Sequence, residues 1–130
     1  MIRSLKNKIR LLISKSREKK KEKKRSSRWK EVRDEFLIKN PTCAACGESK
    51  NLQVHHIVPF HINPKLELVE KNLITLCMNK NECHLEIGHG DSWRCYNPSV
   101  IEDAKECLDN PDHRQFLEEE IKLKRIYLKS

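Results

Sequence analysis

Apolar residues first recur at helical spacing. Ile2, Leu5, Ile9, Leu12 and Ile13 fall three or four residues apart, which predicts a helix. A nearly pure Lys/Arg/Glu stretch, Arg17 to Arg25, follows. Trp29, Val32, Phe36 and Leu37 then repeat the same period, with Ser26-Ser27 as a cap. That helix must stop near Asn40, because Pro41 disfavours helix in the residue before it. From there the pattern changes. Leu52 to Val58 is rich in β-formers and predicts a strand that Pro59 ends. A polar connection runs through Asn63-Pro64 to about Lys71, and Leu73–Cys77 reads as a second strand. Cys83 to Ile87 is a short helix at best, halted by Gly88 and Gly90. Asn97-Pro98-Ser99 opens a helix with Val100, Ala104, Cys107 and Leu108 on its apolar face. Asn110-Pro111 opens another, with Phe116, Leu117, Ile121 and Leu128 as its apolar positions. The expectation is an α+β chain. A helical arm over 1–27 precedes a folded domain over 28–130, which has a core at 41–90 and C-terminal helices at 97–129.

Charge separates the arm from the body. Residues 1–30 carry 14 Lys/Arg against two acids, a net +12. Residues 31–130 carry 13 Lys/Arg against 17 Asp/Glu, a net −4. A basic arm on a mildly acidic body suits a polyanion, and Lys19, Lys20, Lys21, Lys23, Lys24, Arg25 and Arg28 are its candidate phosphate contacts. The plainer reading of the same charges is a solvated tail. No run of 18 apolar residues is present, and the N-terminus lacks a signal peptide's apolar stretch, so an intracellular, membrane-free setting is expected.

Only 37% of the 130 residues are hydrophobic, a thin supply for a core, so a staple is expected. Six cysteines offer one: Cys43, Cys46, Cys77, Cys83, Cys95 and Cys107. In a reducing compartment such residues bind metal more often than they form disulfides. Cys43-x2-Cys46-Gly47 fits a tight turn with both sulfurs on one ion, and Cys77-x5-Cys83 supplies a second, more widely spaced pair. Four thiolates would make a closed, structural Zn²⁺ site. The alternative is a set of buried reduced thiols. Cys107 sits on an apolar helical face and reads as core.

His55 and His56 are adjacent on a predicted strand, so their side chains point to opposite faces and suit two different roles. His84 directly follows the presumed ligand Cys83. Taken with Trp29-Lys30, Pro41 to Gly47, Leu52 to Pro59, Asn72 to Cys77 and Cys83-His84, this order of residues resembles the HNH endonucleases over about half of the chain. The resemblance implies a small ββα-metal (His-Me finger) core with zinc knuckles, flanked by N- and C-terminal helices. It implies that His55 and His84 bind a catalytic metal, that His56 is the general base, and that Asn72 pins the loop between the strands. Some members hold a further ligand four residues after His84. Here that position is Gly88, and His89 lies one residue later, a candidate third ligand. The first residue of the pair is often Asp in the family. His55 in that place admits Mg²⁺ but suits Mn²⁺, Ni²⁺ or Zn²⁺ better.

Phosphodiester hydrolysis needs a base near neutrality, which histidine provides, and a divalent ion to carry the phosphate's developing charge. The expected function is therefore a metal-dependent DNA endonuclease in the cytoplasm of a bacterial or phage-infected cell. A second copy of the chain and phage packaging proteins are the partner classes in view. The main rival is a non-catalytic, zinc-stapled DNA-binding module or a phage DNA-packaging accessory protein. That rival needs the cysteines and the arm, but not His55, His56, Asn72 and His84 together.

Overall fold

The computed structural model describes residues 24–128. Of the arm, Lys24, Arg25 and Arg28 therefore fall inside it, whereas the first predicted helix and Lys19, Lys20, Lys21 and Lys23 lie outside the described residues. Helix α1 spans Trp29–Lys39. Ser26 starts it through its backbone and hydroxyl: Trp29 N donates to Ser26 O at 3.1 Å, and Arg28 N donates to Ser26 Oγ at 3.1 Å. The helix ends before Asn40-Pro41, where Pro41 forbids continuation.

Strands β1 (Leu52–His56) and β2 (Leu73–Cys77) form an antiparallel pair with Val54 opposite Thr75, His55 opposite Ile74 and His56 opposite Leu73. Alternation along β1 then divides its side chains. Val54 and Leu73 pack with Phe36 of α1 and the partly buried Trp29, Val32 and Leu37. On the other face Ile74 and Leu76 join Ile87, Val100, Ala104, Leu117 and Ile121 in the larger core. β1 is shorter than the apolar run that predicts it, and Ile57 N adds one more ladder bond, to Asn72 O at 2.8 Å.

The short helix after Cys83 is a π-helical turn, His84–Gly88. Helices α2 (Val100–Asp109) and α3 (Arg114–Lys124) cover the larger core. Their buried apolar residues are the expected Val100, Ala104, Cys107, Leu117 and Ile121, and Asp103 is buried with them. Phe116 and Leu108, expected on the same apolar faces, are instead 67% and 46% exposed, because each sits at the rim of a stripe that neighbouring positions already fill. A two-residue ladder was not expected: β3 (Cys95–Tyr96) pairs antiparallel with β4 (Ile126–Tyr127), so the last helix stops at Lys124 instead of running to 129, and Leu128 lies beyond it. No helix among the described residues is long and apolar enough to cross a membrane.

Asn97, fully buried, ties three pieces of this half together. Its Nδ2 donates to Ile87 O at 3.0 Å and to Asp103 Oδ2 at 2.8 Å, and its Oδ1 accepts from Ser99 N at 3.0 Å. A buried polar group left without its partner costs about 1–3 kcal/mol. Asn97→Ala is thus predicted to destabilise the protein by about 3 kcal/mol, given more than one orphaned partner. Urea unfolding of the metal-loaded protein measures it, and a loss under about 1 kcal/mol would show that water replaces the side chain.

Candidate active site

The sulfurs of Cys43, Cys46, Cys77 and Cys83 all lie within 4.8 Å of one another. The knuckle Cys43–Gly47 closes through Gly47 N donating to Cys43 O at 2.8 Å, with Gly47 at φ +78°, a conformation glycine takes without a Cβ penalty. Cys77 ends β2, and its amide donates to Cys43 Sγ at 3.4 Å. The five-residue gap to Cys83 is absorbed by a loop in which Glu82 stands at φ +46°. The donor set fits a thiophilic cation. Crowding splits the thiols, lowering Cys43 to about 4 through its contact with Cys83, while Cys83 is raised by the same contact and by burial. Burial also raises Cys46. Four thiolates this close require a cation between them, and a tetrahedral zinc site asks for this set. Arg114 also points its charge here, donating to Cys83 Sγ at 3.1 Å. Cys95 and Cys107 are buried apart from the group.

The histidines separate as strand alternation requires. His55 turns to the π turn and meets His84 and His89, and one ring nitrogen from each lies within 4.8 Å of the others. His84 Nε2 is 3.0 Å from His55 Nδ1. Outer partners fix two of the tautomers, because carbonyl and amide oxygens only accept. His84 Nδ1–H donates to Gln53 Oε1 at 2.7 Å, and His89 Nδ1–H donates to Cys95 O at 2.7 Å. Each Nε2 therefore carries a lone pair, the arrangement typical of metal-binding histidines. His55 is buried, and its Nε2 has no hydrogen-bond partner. Burial, then the neighbouring rings, holds His55 well below its usual value. The same causes lower His84 to about 4, and burial lowers His89. Three imidazoles whose ring nitrogens converge at this distance fit a divalent ion of the Mn²⁺, Ni²⁺ or Zn²⁺ type.

The π turn explains why His89 comes five residues after His84 and not four. A π turn closes on the fifth residue, so the extra residue is taken up and His89 returns to the side of His84. Gly88, at the four-residue position, leaves room for the cluster. A methyl there would lie 3.1 Å from Leu76 Cδ1 and 3.3 Å from both Cε1 and Nδ1 of His55.

His56 faces α1. Its ring lies 4.4 Å from that of Trp29 at a 34° tilt, and Nε2–H donates to Glu67 O at 3.0 Å, which leaves the lone pair on Nδ1. Burial lowers its pKa, the Glu67 carbonyl opposes this, and Arg25 adds to the lowering. Asn72, also buried, spans the loop between the strands. Its Oδ1 accepts from Val58 N at 2.8 Å, and its Nδ2 donates to Val58 O at 3.1 Å and Leu66 O at 3.2 Å. Glu67, held in the same loop, turns its buried carboxylate to Ser26 N at 2.9 Å and Arg25 at 3.3 Å. The arm's last residues are thereby docked beside His56. His55, His56, His84 and His89 line one open cavity of about 590 Å³ with His61, Arg25, Arg33 and Trp93.

Sequence reasoning missed the supporting residues. Gln53 stands two positions before His55 and so shares its face of β1, a signal available from strand periodicity. Trp29 read as a core position of its helix and as part of the family resemblance, with no role beside His56. Glu67 and Trp93 lie in loops whose path no local pattern gives.

The family model for HNH endonuclease matches residues 43–90. That segment is an HNH domain. It runs from the first knuckle cysteine through β1, β2 and the π turn, so every converging Cys and His falls inside it. No curated protein and no solved structure matches the chain.

If the three histidines hold an ion, then crowding the HNH domain at Gly88 should loosen it. Gly88→Ala is predicted to weaken Mn²⁺ binding about 10-fold, the lower end for disturbing a ligand's support, without changing the zinc content of the protein. Calorimetric titration of Mn²⁺ into zinc-loaded protein reads the first, and elemental analysis the second. Unchanged Mn²⁺ affinity would mean that His55 is not a ligand.

Proposed function

We propose that this HNH domain is a metal-dependent DNA endonuclease in which His56 is the general base. The observation that carries the reading is the division of labour across β1. One face turns His55 toward His84 and His89 of the π turn, so that three ring nitrogens converge, and the other presents a single histidine whose outer nitrogen is already engaged by Glu67 O.

In this reading His56 Nδ1 takes a proton from the attacking water. The Glu67 carbonyl and the Trp29 ring set the imidazole's direction, so little orientation is lost when substrate arrives. Asn72 holds the loop that carries that carbonyl, through its bonds to Val58 and Leu66. His55, His84 and His89 would hold the divalent ion, with Gln53 and Cys95 O fixing two of their rings. Bound there, the ion supplies the charge that a phosphate needs as it takes on the nucleophile and releases its 3′ oxygen. Cys43, Cys46, Cys77 and Cys83 would hold a structural zinc. Lys24, Arg25 and Arg28, with the basic residues that precede them, would contact phosphates without reading sequence.

Relaxation of supercoiled plasmid by the purified protein, with EDTA, Mg²⁺, Mn²⁺ or Ni²⁺, tests the proposal. Cleavage should require a divalent ion and fall about 10²- to 10⁴-fold in His56→Ala, the usual share of a general base. Wild-type cutting by a folded His56→Ala protein would refute the role of His56. No cutting by zinc-loaded wild type with any ion would favour the zinc-stapled DNA-binding module. The pH profile gives a separate check. A lowered pKa keeps His56 unprotonated in more acidic solution, so the acid limb of kcat/KM should fall below 6.5. A limb above 6.5 would contradict the environment seen around His56.

A further inference from the structure

We propose that Trp93 is a stacking platform for an unpaired base beside the cleavage point, which makes the substrate single-stranded DNA or a duplex opened at the cut. This rests on the nuclease reading and narrows its substrate.

The chain has two tryptophans. Trp29 is used internally, tilted over His56 and packed in α1. Trp93 is 52% exposed, yet its ring lies 4.8 Å from His89 and 5.3 Å from His84. Neither histidine lies parallel to it, the planes crossing at 57° and 89°. Among the described residues, no ring therefore stacks flat on the indole. Single exposed aromatics are ordinary on a surface. This one is placed in the wall of the cavity that contains the metal-ligating and base histidines.

Its loop is also held. Asp91 stands at φ +69°, Arg94 N donates to Ser92 Oγ at 3.3 Å, and Cys95 N donates to Ser92 O at 2.9 Å. Immediately afterwards β3 is pinned by β4. The indole is therefore presented from a tight turn. Arg25 and Arg33 line the same cavity and carry cations suited to a phosphate backbone. An aromatic face in a groove that also carries cations is the usual equipment for binding a single strand. A paired base inside a duplex has both faces covered by its neighbours, so a platform of this kind selects a base that is out of the stack.

The test measures binding by His56→Ala protein, which should leave its substrate intact. A labelled oligothymidylate, a fully paired duplex and a forked duplex are titrated by fluorescence anisotropy, in Mn²⁺, with and without Trp93→Ala or Trp93→Phe. The expected result is that Trp93→Ala weakens the single strand and the fork by about 5- to 150-fold, the range for losing one stacked base, and leaves the duplex unchanged. Trp93→Phe should restore most of the loss. An equal effect on all three ligands, none on any, or a loss confined to the duplex would overturn the platform while leaving nucleic-acid binding in place. Failure of folded, zinc-loaded His56→Ala protein to bind all three would instead remove the nuclease reading, and the platform with it.

Discussion

Four sulfurs crowded within 4.8 Å set the terms for the rest of the HNH domain. They come from three places: the knuckle after α1, the end of β2 and the residue before the π turn. With a thin apolar supply, the chain gains from one polar tie that holds three segments at once. The consequences run outward along the backbone. Fixing Cys77 fixes the end of β2, and hence the register that sets His55 opposite Ile74. Fixing Cys83 fixes the start of the π turn, and hence His84, the next residue. The histidine cluster inherits its geometry from the sulfur cluster through these two short paths. Arg114 brings α3 into the same arrangement by donating to Cys83 Sγ and to Asn81 O at 2.7 Å.

A single strand then does two jobs, because side chains alternate across it. On the face of β1 toward the π turn His55 is buried, which favours its neutral form, and Gln53 orients His84 from the same face. The face toward α1 is less enclosed. There Trp29 and the Glu67 carbonyl restrain His56, and cavity access remains. Glu67 links this face to the basic arm, since its carbonyl accepts from His56 while its carboxylate accepts from Ser26 N and Arg25. The last residues of the arm are thus part of the surroundings of His56.

Much of this was legible in the sequence where period or chemistry is local. The spacing of Trp29, Val32 and Phe36 predicted α1, and the β-rich runs predicted both strands. The cysteine spacing predicted a four-sulfur cluster, and the adjacency of His55 and His56 predicted their separation. Contacts between distant segments were not legible. Nothing local connects Cys95 O with His89, or Glu67 with His56, because those partners are set by how loops lie over the sheet. The β3–β4 ladder is two residues a side, too short to give a pattern. Phe116 and Leu108 satisfied the helical period and were still left exposed, since periodicity gives a stripe's direction and not its width.

His89 shows where spacing rules lose force. Counting along an α-helix sets the residue four after His84 beside it, and that residue is Gly88. Judged on that count the cluster holds two histidines, with His89 turned aside. The chain takes a π turn here, and the fifth residue comes round in place of the fourth. The same turn brings Gly88 against the His55 ring, at a distance that leaves little room for a side chain. The glycine in the four-residue position and the histidine one place later are therefore one feature. The period of the helix differs from the α value, and both residues follow from that difference. π turns are rare overall and recur at functional sites, because one inserted residue re-aims a side chain without dismantling the elements on either side.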